Sequence, residues 1–315
     1  MRSSRVEYID VARGLTIIMM ICFHVLGETI TMLHHFFATS VVFVFIVSSG
    51  YFSEKTDVPR LVKKLVLPYY AILWIVRIIW WIRMREFRKS DVTDVLYQML
   101  IGRTIDGLWP GFSLFVGIAW FLPLLFTIRI IYALIRKVTG DRFFIRVILC
   151  VALFILGVYV GRIGIRFPWY LGEAMAAIPF FCLGEFMNRY SEGMQKFLSY
   201  YPVAIPVFLA WWFMVRMFGY GELPNYGNYE YGMLWVAISA LAVLFVFMVS
   251  FFLSTHLSHV SDFLQFYGRN LLPVYMMHVI DKSCITGPTD FNIYLLFVIE
   301  LLIASLPLLF KLKRS

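Results

Sequence analysis

With 61% hydrophobic and only 15% charged residues over 315 positions, and a mean hydropathy of +0.79, the composition excludes an ordinary soluble domain. A net charge of +9 would suit nucleic acid in a soluble protein, but here the basic residues collect between apolar runs, where the preference of lysine and arginine for the cytoplasmic side accounts for them. Cys22, Cys150, Cys182 and Cys284 fall in or beside apolar runs without CxxC or metal-ligand spacing, which argues against both a disulfide framework and a bound metal.

A helix needs roughly 20 apolar residues to cross a bilayer. The first such run, VARGLTIIMMICFHVLG, follows Arg2 and Arg5 and carries Arg13, while the connection after it, GETITMLHH, has no lysine or arginine. The N-terminus is therefore expected in the cytoplasm. No small-residue cleavage signature follows the run, so it reads as a retained span. A second span near 36–52 leads into EKTDVPRLVKK, where Lys55, Arg60, Lys63 and Lys64 mark a return to the cytoplasm. Further spans are expected near 65–82, 112–134, 143–160, 170–187, 201–218, 232–253, 266–280 and 291–310. Ten crossings bring the basic tail, KLKRS, back inside. The expectation is an all-α, polytopic integral membrane protein of about ten transmembrane helices, with 1–315 as a single domain and no separate soluble part.

Two connections carry content of their own. The stretch RMREFRKSDVTDVLYQMLIGRTID falls outside by this count, although Arg83, Arg85, Arg88 and Lys89 favour the inside. It is either an amphipathic helix lying at the outer interface or the sign of a miscounted crossing. The second, GYGELPNYGNYEYG, offers tyrosines, asparagines, Glu222 and Glu230 to a sugar, and an interfacial aromatic belt explains the tyrosines equally well.

Arg13 and His24 form the most informative pair. Eleven residues make three helical turns plus roughly 20°, so both lie on one helix face, about 16 Å apart along the axis. One sits at a membrane surface while the other sits well inside. A histidine at that depth is costly unless it faces a cavity or a partner. Taken singly, Arg13 reads equally as a cytoplasmic flank and His24 as an interhelical hydrogen-bond donor.

Six fragments in order resemble the membrane acyltransferase-3 family, including its fucose 4-O-acetylase-like branch. RVEYIDVARGLTIIMMICFH is similar to the opening helix of the family at Asp10, Arg13, Gly14 and His24. VFVFIVSSGYF resembles its second helix at Phe43, Ser49, Gly50 and Tyr51, and LVLPYY its third-helix entry at Pro68 and Tyr69. AWFLPLLF, with Trp120 to Pro123, IPFFCLG, and FYGRNLLPVYMMH, with Gly268, Asn270, Tyr275 and His278, complete the series. The departures are specific. The second basic motif, RxxR, is represented by Arg60 and Lys63, or is displaced to Lys64, and lysine lacks the bidentate fork that arginine offers a phosphate. Leu271 stands where serine is usual, and His34 and His35 lie too far upstream to replace a missing His-x-Pro.

The resemblance implies transfer of an acyl group, usually acetyl, from cytoplasmic acyl-CoA to a hydroxyl of a polysaccharide or lipid-linked sugar in the cell envelope. The site is then the cell membrane with its lipids, with both termini cytoplasmic. Acetyl-CoA is a substrate, and no resident cofactor or nucleic acid is expected. Arg13, Arg60, Lys63 and Lys64 would hold the CoA phosphates, and His24 would act as general base or carry the acyl group itself. Glu28 follows His24 by four residues and would orient its ring, or is simply solvated. Asp10, Ser49, Tyr51, Trp120, Glu173, Asn270, Tyr275 and His278 are candidates for a pore or acceptor site. Against each stands a plainer role in helix bracing or interfacial anchoring, and Gly50 and Gly268 read as positions for close packing or turns. The rival class is a permease or flippase for a glycan or lipid-linked intermediate. Its disadvantage is the lack of a repeated half with paired broken helices.

Overall fold

A computed structural model describes residues 6–26, 31–53, 56–85, 87, 89–103, 117–219, 232–284 and 293–312. Among these the chain is helical, without strands. In order the helices are α1 (Glu7–Leu26), α2 (Thr31–Tyr51), α3 (Val58–Leu61), α4 (Leu67–Met84), α5 (Lys89–Ile101), α6 (Phe121–Thr139), α7 (Phe143–Arg162), α8 (Leu171–Arg189), α9 (Ser191–Leu198), α10 (Ala204–Phe218), α11 (Met233–His256), α12 (Ser258–Arg269), α13 (Leu271–Cys284) and α14 (Ile293–Leu312). The chain divides into two compact units, one drawn from 1–53 and 179–274, the other from 54–178 and 275–315.

The first unit is organised around α1, which packs on α12, α2 and α11. Lipid supplies no hydrophobic drive between helices, so tight packing of small residues must hold them together. Gly14 and Gly268 provide it. A Cβ on Gly14 would lie 1.8 Å from the Leu264 carbonyl oxygen, and one on Gly268 would lie 1.9 Å from that of Asp10. The same device joins α2 to the second half of α8. A Cβ on Gly50 would sit 2.0 Å from the Phe181 carbonyl oxygen, and one on Gly184 would sit 2.1 Å from that of Val47. Aromatic packing fills the space beside these crossings, with the Phe43 ring 4.4 Å from Phe180 and 5.1 Å from Trp235. The indole of buried Trp211 donates to the Thr39 hydroxyl at 3.0 Å, satisfying a polar tip in an apolar setting.

In the second unit, α3 runs through a π-helical turn, Val62–Val66, directly into α4. The stretch for which an interfacial amphipathic helix or a miscounted crossing was expected forms the helix α5. Its polar side faces inward. Asp94 and Gln98 are buried, Asp91 and Asp94 pair with Arg77 of α4 at 3.1 and 4.0 Å, and Asp91 accepts from the Trp81 indole at 2.9 Å. Leu96 and Leu100 point outward, an arrangement that suits an apolar surrounding and not water. Burial pushes the Asp94 carboxyl above the usual carboxylate range; Arg77 pulls it back and Asp91 adds to the rise.

Six stretches among the described residues are long and apolar enough to cross a bilayer: Glu7–Val25, His34–Tyr51, Val58–Arg83, Phe143–Arg162, Tyr201–Phe218 and Leu234–His256. The remaining four expected spans fall short for physical reasons. Helix α6 carries Arg129, Arg136 and Lys137, and α8 carries Glu173, Glu185 and Arg189. The apolar parts of α13 and α14 are brief, at Leu271–Asp281 and Phe297–Leu308. The expected continuous span 266–280 is broken at Asn270, whose side chain donates to the Phe266 carbonyl at 2.8 Å and ends α12.

Candidate active site

Asp10, Arg13 and His24 lie on one uninterrupted helix, as their spacing requires. Asp10 is buried and gathers two cations. Its Oδ1 lies 3.8 Å from Arg13 Nη1, and its Oδ2 accepts from Arg269 Nε at 3.2 Å. Arg269 also donates to Gln265 Oε1, and Gln265 donates in turn to the Ser261 hydroxyl at 2.9 Å. One carboxylate between two guanidiniums leaves one net positive charge, and both arginine side chains remain about one-third exposed, at 31% and 39%. The cluster is anchored and still open to an anion. Arg269 was missed from the sequence although it stands next to Gly268, and the signal was available: it follows Gln265 by one helical turn.

At the other end of α1, half-buried His24 sets its ring 5.0 Å from Phe23, which in turn lies 4.9 Å from the His34 ring of α2. His35 follows, with its ring 6.1 Å from His34. The hairpin of α1 and α2 thus collects histidines that are ten residues apart in sequence. Glu28, the proposed partner of His24, lies outside the described residues, as do Lys55 and the tyrosine-rich 220–231 connection. Ser49 is half-buried on α2, and Tyr51 is buried with its carbonyl accepting from Asn188 at 2.8 Å.

Arg60, Lys63 and Lys64 are exposed and belong to the second unit, whereas Arg13 belongs to the first. The turn that presents them begins at Asp57, whose carboxylate accepts from the Arg60 backbone N–H at 3.3 Å. Glu173 is buried and held by Arg103 at 2.6 Å and Arg166 at 3.6 Å. Trp120 is buried with its ring 6.2 Å from Tyr170, and Phe121 lies 6.2 Å from Tyr275. His278 is fully buried with Nδ1 3.8 Å from Glu300 of α14, and Asp281 is buried one turn further along α13. Sequence reasoning did not single out Arg103, Arg166, Asp281 or Glu300. Glu300 is the one charged residue of the apolar run 293–310, the pattern that marks a functional candidate in a membrane. Asn270 performs the helix-ending role described above. Among the described residues Cys22, Cys150 and Cys182 are in no disulfide, and no cluster of histidine, cysteine and acidic residues is arranged to hold a metal.

The arrangement therefore offers an anion-attracting arginine pair, Arg13 of α1 with Arg269 of α12, and a histidine on α1 roughly 16 Å from Arg13 at 1.5 Å per residue. A family model described as an acyltransferase domain matches residues 6–310, nearly the whole chain. The chain belongs to the acyltransferase-3 family. No curated protein and no solved structure matches it. Membership supports acyl transfer as the activity of this acyltransferase-3 chain, and its apolar helices make it a membrane protein. It also gives the glycine crossings a place in the motifs, since Gly14, Gly50, Gly184 and Gly268 all stand in the fragments quoted above and all mark backbone contact.

Proposed function

We propose that the chain is an O-acetyltransferase of the fucose 4-O-acetylase-like branch, moving acetyl from cytoplasmic acetyl-CoA to a sugar hydroxyl of a cell-envelope or exported glycan. The observation that carries this reading is the single helix α1, with a partly exposed Asp10–Arg13–Arg269 cluster near one end and His24 near the other. A guanidinium pair of net positive charge suits the CoA phosphates. The pantetheine arm is long enough to run along α1 and carry the thioester inward. Arg60, Lys63 and Lys64 add positive charge to the donor's approach, and Ser49, Tyr51, Asn270 and His278 are candidates for the acceptor side.

In the reaction, neutral His24 takes the proton of the acceptor hydroxyl as its oxygen bonds to the thioester carbonyl carbon. The C–S bond then breaks, and the sulfur leaves as the CoA thiolate, which receives the proton from His24. Base catalysis of this kind contributes about 10² to 10⁴ in rate. Should His24 instead carry the acetyl group, acceptor-free membranes would accumulate label on the protein, whereas direct transfer leaves the protein unlabelled.

In the cell membrane, the six apolar crossings together with α6, α8, α13 and α14 would make ten, with both termini in the cytoplasm. Basic residues around Arg60 and at the tail support that orientation. A reporter fused after Ser315 should register on the cytoplasmic side, and a signal from the opposite side would overturn the ten-crossing arrangement. The activity is tested by supplying radiolabelled acetyl-CoA to membranes bearing the protein. Alkali-labile label on glycan is expected, and its absence would contradict acetyl transfer to a sugar hydroxyl.

A further inference from the structure

Ser261, Gln265 and Arg269 stand four residues apart on α12, so they form one stripe along the helix. The stripe runs from interior to surface. Ser261 and Gln265 are buried, at 2% and 5% exposure, whereas the Arg269 side chain is 39% exposed. Its place is set by the crossing with α1. Because Gly268 meets the Asp10 carbonyl oxygen where a side chain would otherwise stand, the next residue, Arg269, leaves α12 beside the Asp10 carboxylate.

The Arg269 guanidinium is then held at two of its three nitrogens. Nε donates to Asp10 Oδ2 at 3.2 Å, and Nη2 donates to Gln265 Oε1. Gln265 is held in turn, its Nε2 donating to the Ser261 hydroxyl at 2.9 Å. A buried amide is costly unless both its ends are bonded, and here both are. Among the described residues nothing accepts from Arg269 Nη1, and Arg13 brings a second guanidinium within 3.8 Å of the same carboxylate.

Residue 265 matters through its charge as well as its reach. A glutamate there would accept from the same Nη2 and form the stronger, charge-assisted bond. It would also bring the cluster to two carboxylates and two guanidiniums, with no net charge. Glutamine supplies the acceptor alone, so Asp10, Arg13, Arg269 and Gln265 together keep one positive charge on a pair of partly exposed guanidiniums. Gln265 is itself enclosed, so its influence on a ligand runs through Arg269.

We propose that Gln265 is a positioning residue for donor binding, fixing the Arg269 guanidinium for the CoA phosphates with a neutral acceptor that leaves the cluster cationic. This rests on the acetyl-CoA reading above, and all of its parts lie in the unit that also holds His24. Two substitutions separate charge from position. Gln265→Glu keeps an acceptor for Arg269 and Ser261 but cancels the net charge, whereas Gln265→Met keeps the charge and the unbranched side chain but removes the acceptor. The probe is radiolabelled CoA, bound at equilibrium to the detergent-solubilised full chain, with the thermal midpoint followed by tryptophan fluorescence. Gln265→Glu should raise Kd for CoA about tenfold without lowering the ligand-free midpoint, a split that a merely structural glutamine would not give. Gln265→Met should raise Kd roughly threefold. In membranes the same variants should raise KM for acetyl-CoA in parallel, with the rate at saturating donor changed much less. A Gln265→Glu protein that binds CoA as tightly as the unsubstituted chain overturns the inference and leaves the donor reading standing. If Gln265→Glu fails to reach the membrane, Gln265→Met carries the test, and an unchanged Kd in it is equally decisive against the inference. If the unsubstituted protein binds no CoA, the acetyl-CoA reading falls and takes the inference with it.

Discussion

The two units each place one carboxylate between two guanidiniums, and they use the same trio in opposite ways. Around Asp10 both arginines stay about one-third exposed and the nearer contact is 3.2 Å. Around Glu173 the nearer arginine, Arg103, is almost wholly enclosed and sits at 2.6 Å. Equal charge counts therefore yield unequal availability. The Asp10 cluster keeps a positive charge within reach of a ligand, whereas the Glu173 cluster spends its cation on a carboxylate, the Phe167 carbonyl and the Tyr170 ring within the protein.

The sharpest way to break this contrast is to remove one arginine from each cluster. Arg103→Ala leaves Glu173 buried beside the more distant Arg166 alone, and loss of one partner from a buried pair costs about 3–5 kcal/mol. The expected outcome is a large fall in the thermal midpoint of the detergent-solubilised protein, read by a thiol-reactive unfolding dye. Gly268→Ala comes next. Its new methyl would meet the Asp10 carbonyl oxygen at 1.9 Å, so α1 and α12 must separate, at a cost of about 1–3 kcal/mol. Acetyl transfer should fall with the midpoint, because the shift carries Asp10 away from Arg269.

Arg13→Ala should behave unlike Arg103→Ala. Arg13 is partly exposed and 3.8 Å from Asp10, which keeps Arg269 at 3.2 Å, so its loss should cost at most about 1 kcal/mol and stability should change little, while KM for acetyl-CoA should rise by roughly tenfold. Arg13→Lys should recover part of the loss, since a point charge still attracts phosphate without the fork. An Arg13→Ala protein with normal KM for acetyl-CoA and a much lower midpoint would show that the two clusters do the same job.

The smallest effect concerns Asp94. Its carboxyl is raised by burial, so the folded protein holds that proton more tightly than the unfolded chain does, and stability falls as pH rises from the ordinary carboxylate range through the raised one. Asp94→Asn should flatten that part of the pH–stability curve by less than about 1 kcal/mol, because Arg77 retains Asp91 at 3.1 Å. Thermal midpoints across a pH series would show it.

What was legible in the sequence was whatever depends on spacing along one helix. The Arg13–His24 register is such a feature, and so are the long apolar helices and the amphipathic α5. For Gly50 and Gly268 the sequence left close packing and turns as alternatives, and the backbone contacts of both decide for close packing. Partnerships between distant segments were not. Asp10 meets Arg269 across 259 residues and Glu173 meets Arg103 across 70, and no local pattern links them. The break at Asn270 was passed over although Gly268 and Pro273 flank it, because the apolar residues on both sides read as one span.

The central claim is that α1 carries the chemistry at His24, and a His24→Ala substitution tests it most directly. Alanine is welcome in an apolar helix, so the variant should insert and accumulate like the unsubstituted protein. Transfer of label from radiolabelled acetyl-CoA to glycan should then be abolished, with the protein still present at normal level in the membrane. A His24→Ala protein that inserts normally and acetylates glycan at the normal rate would contradict the account, and would reduce the alignment of Arg13 and His24 to a packing feature.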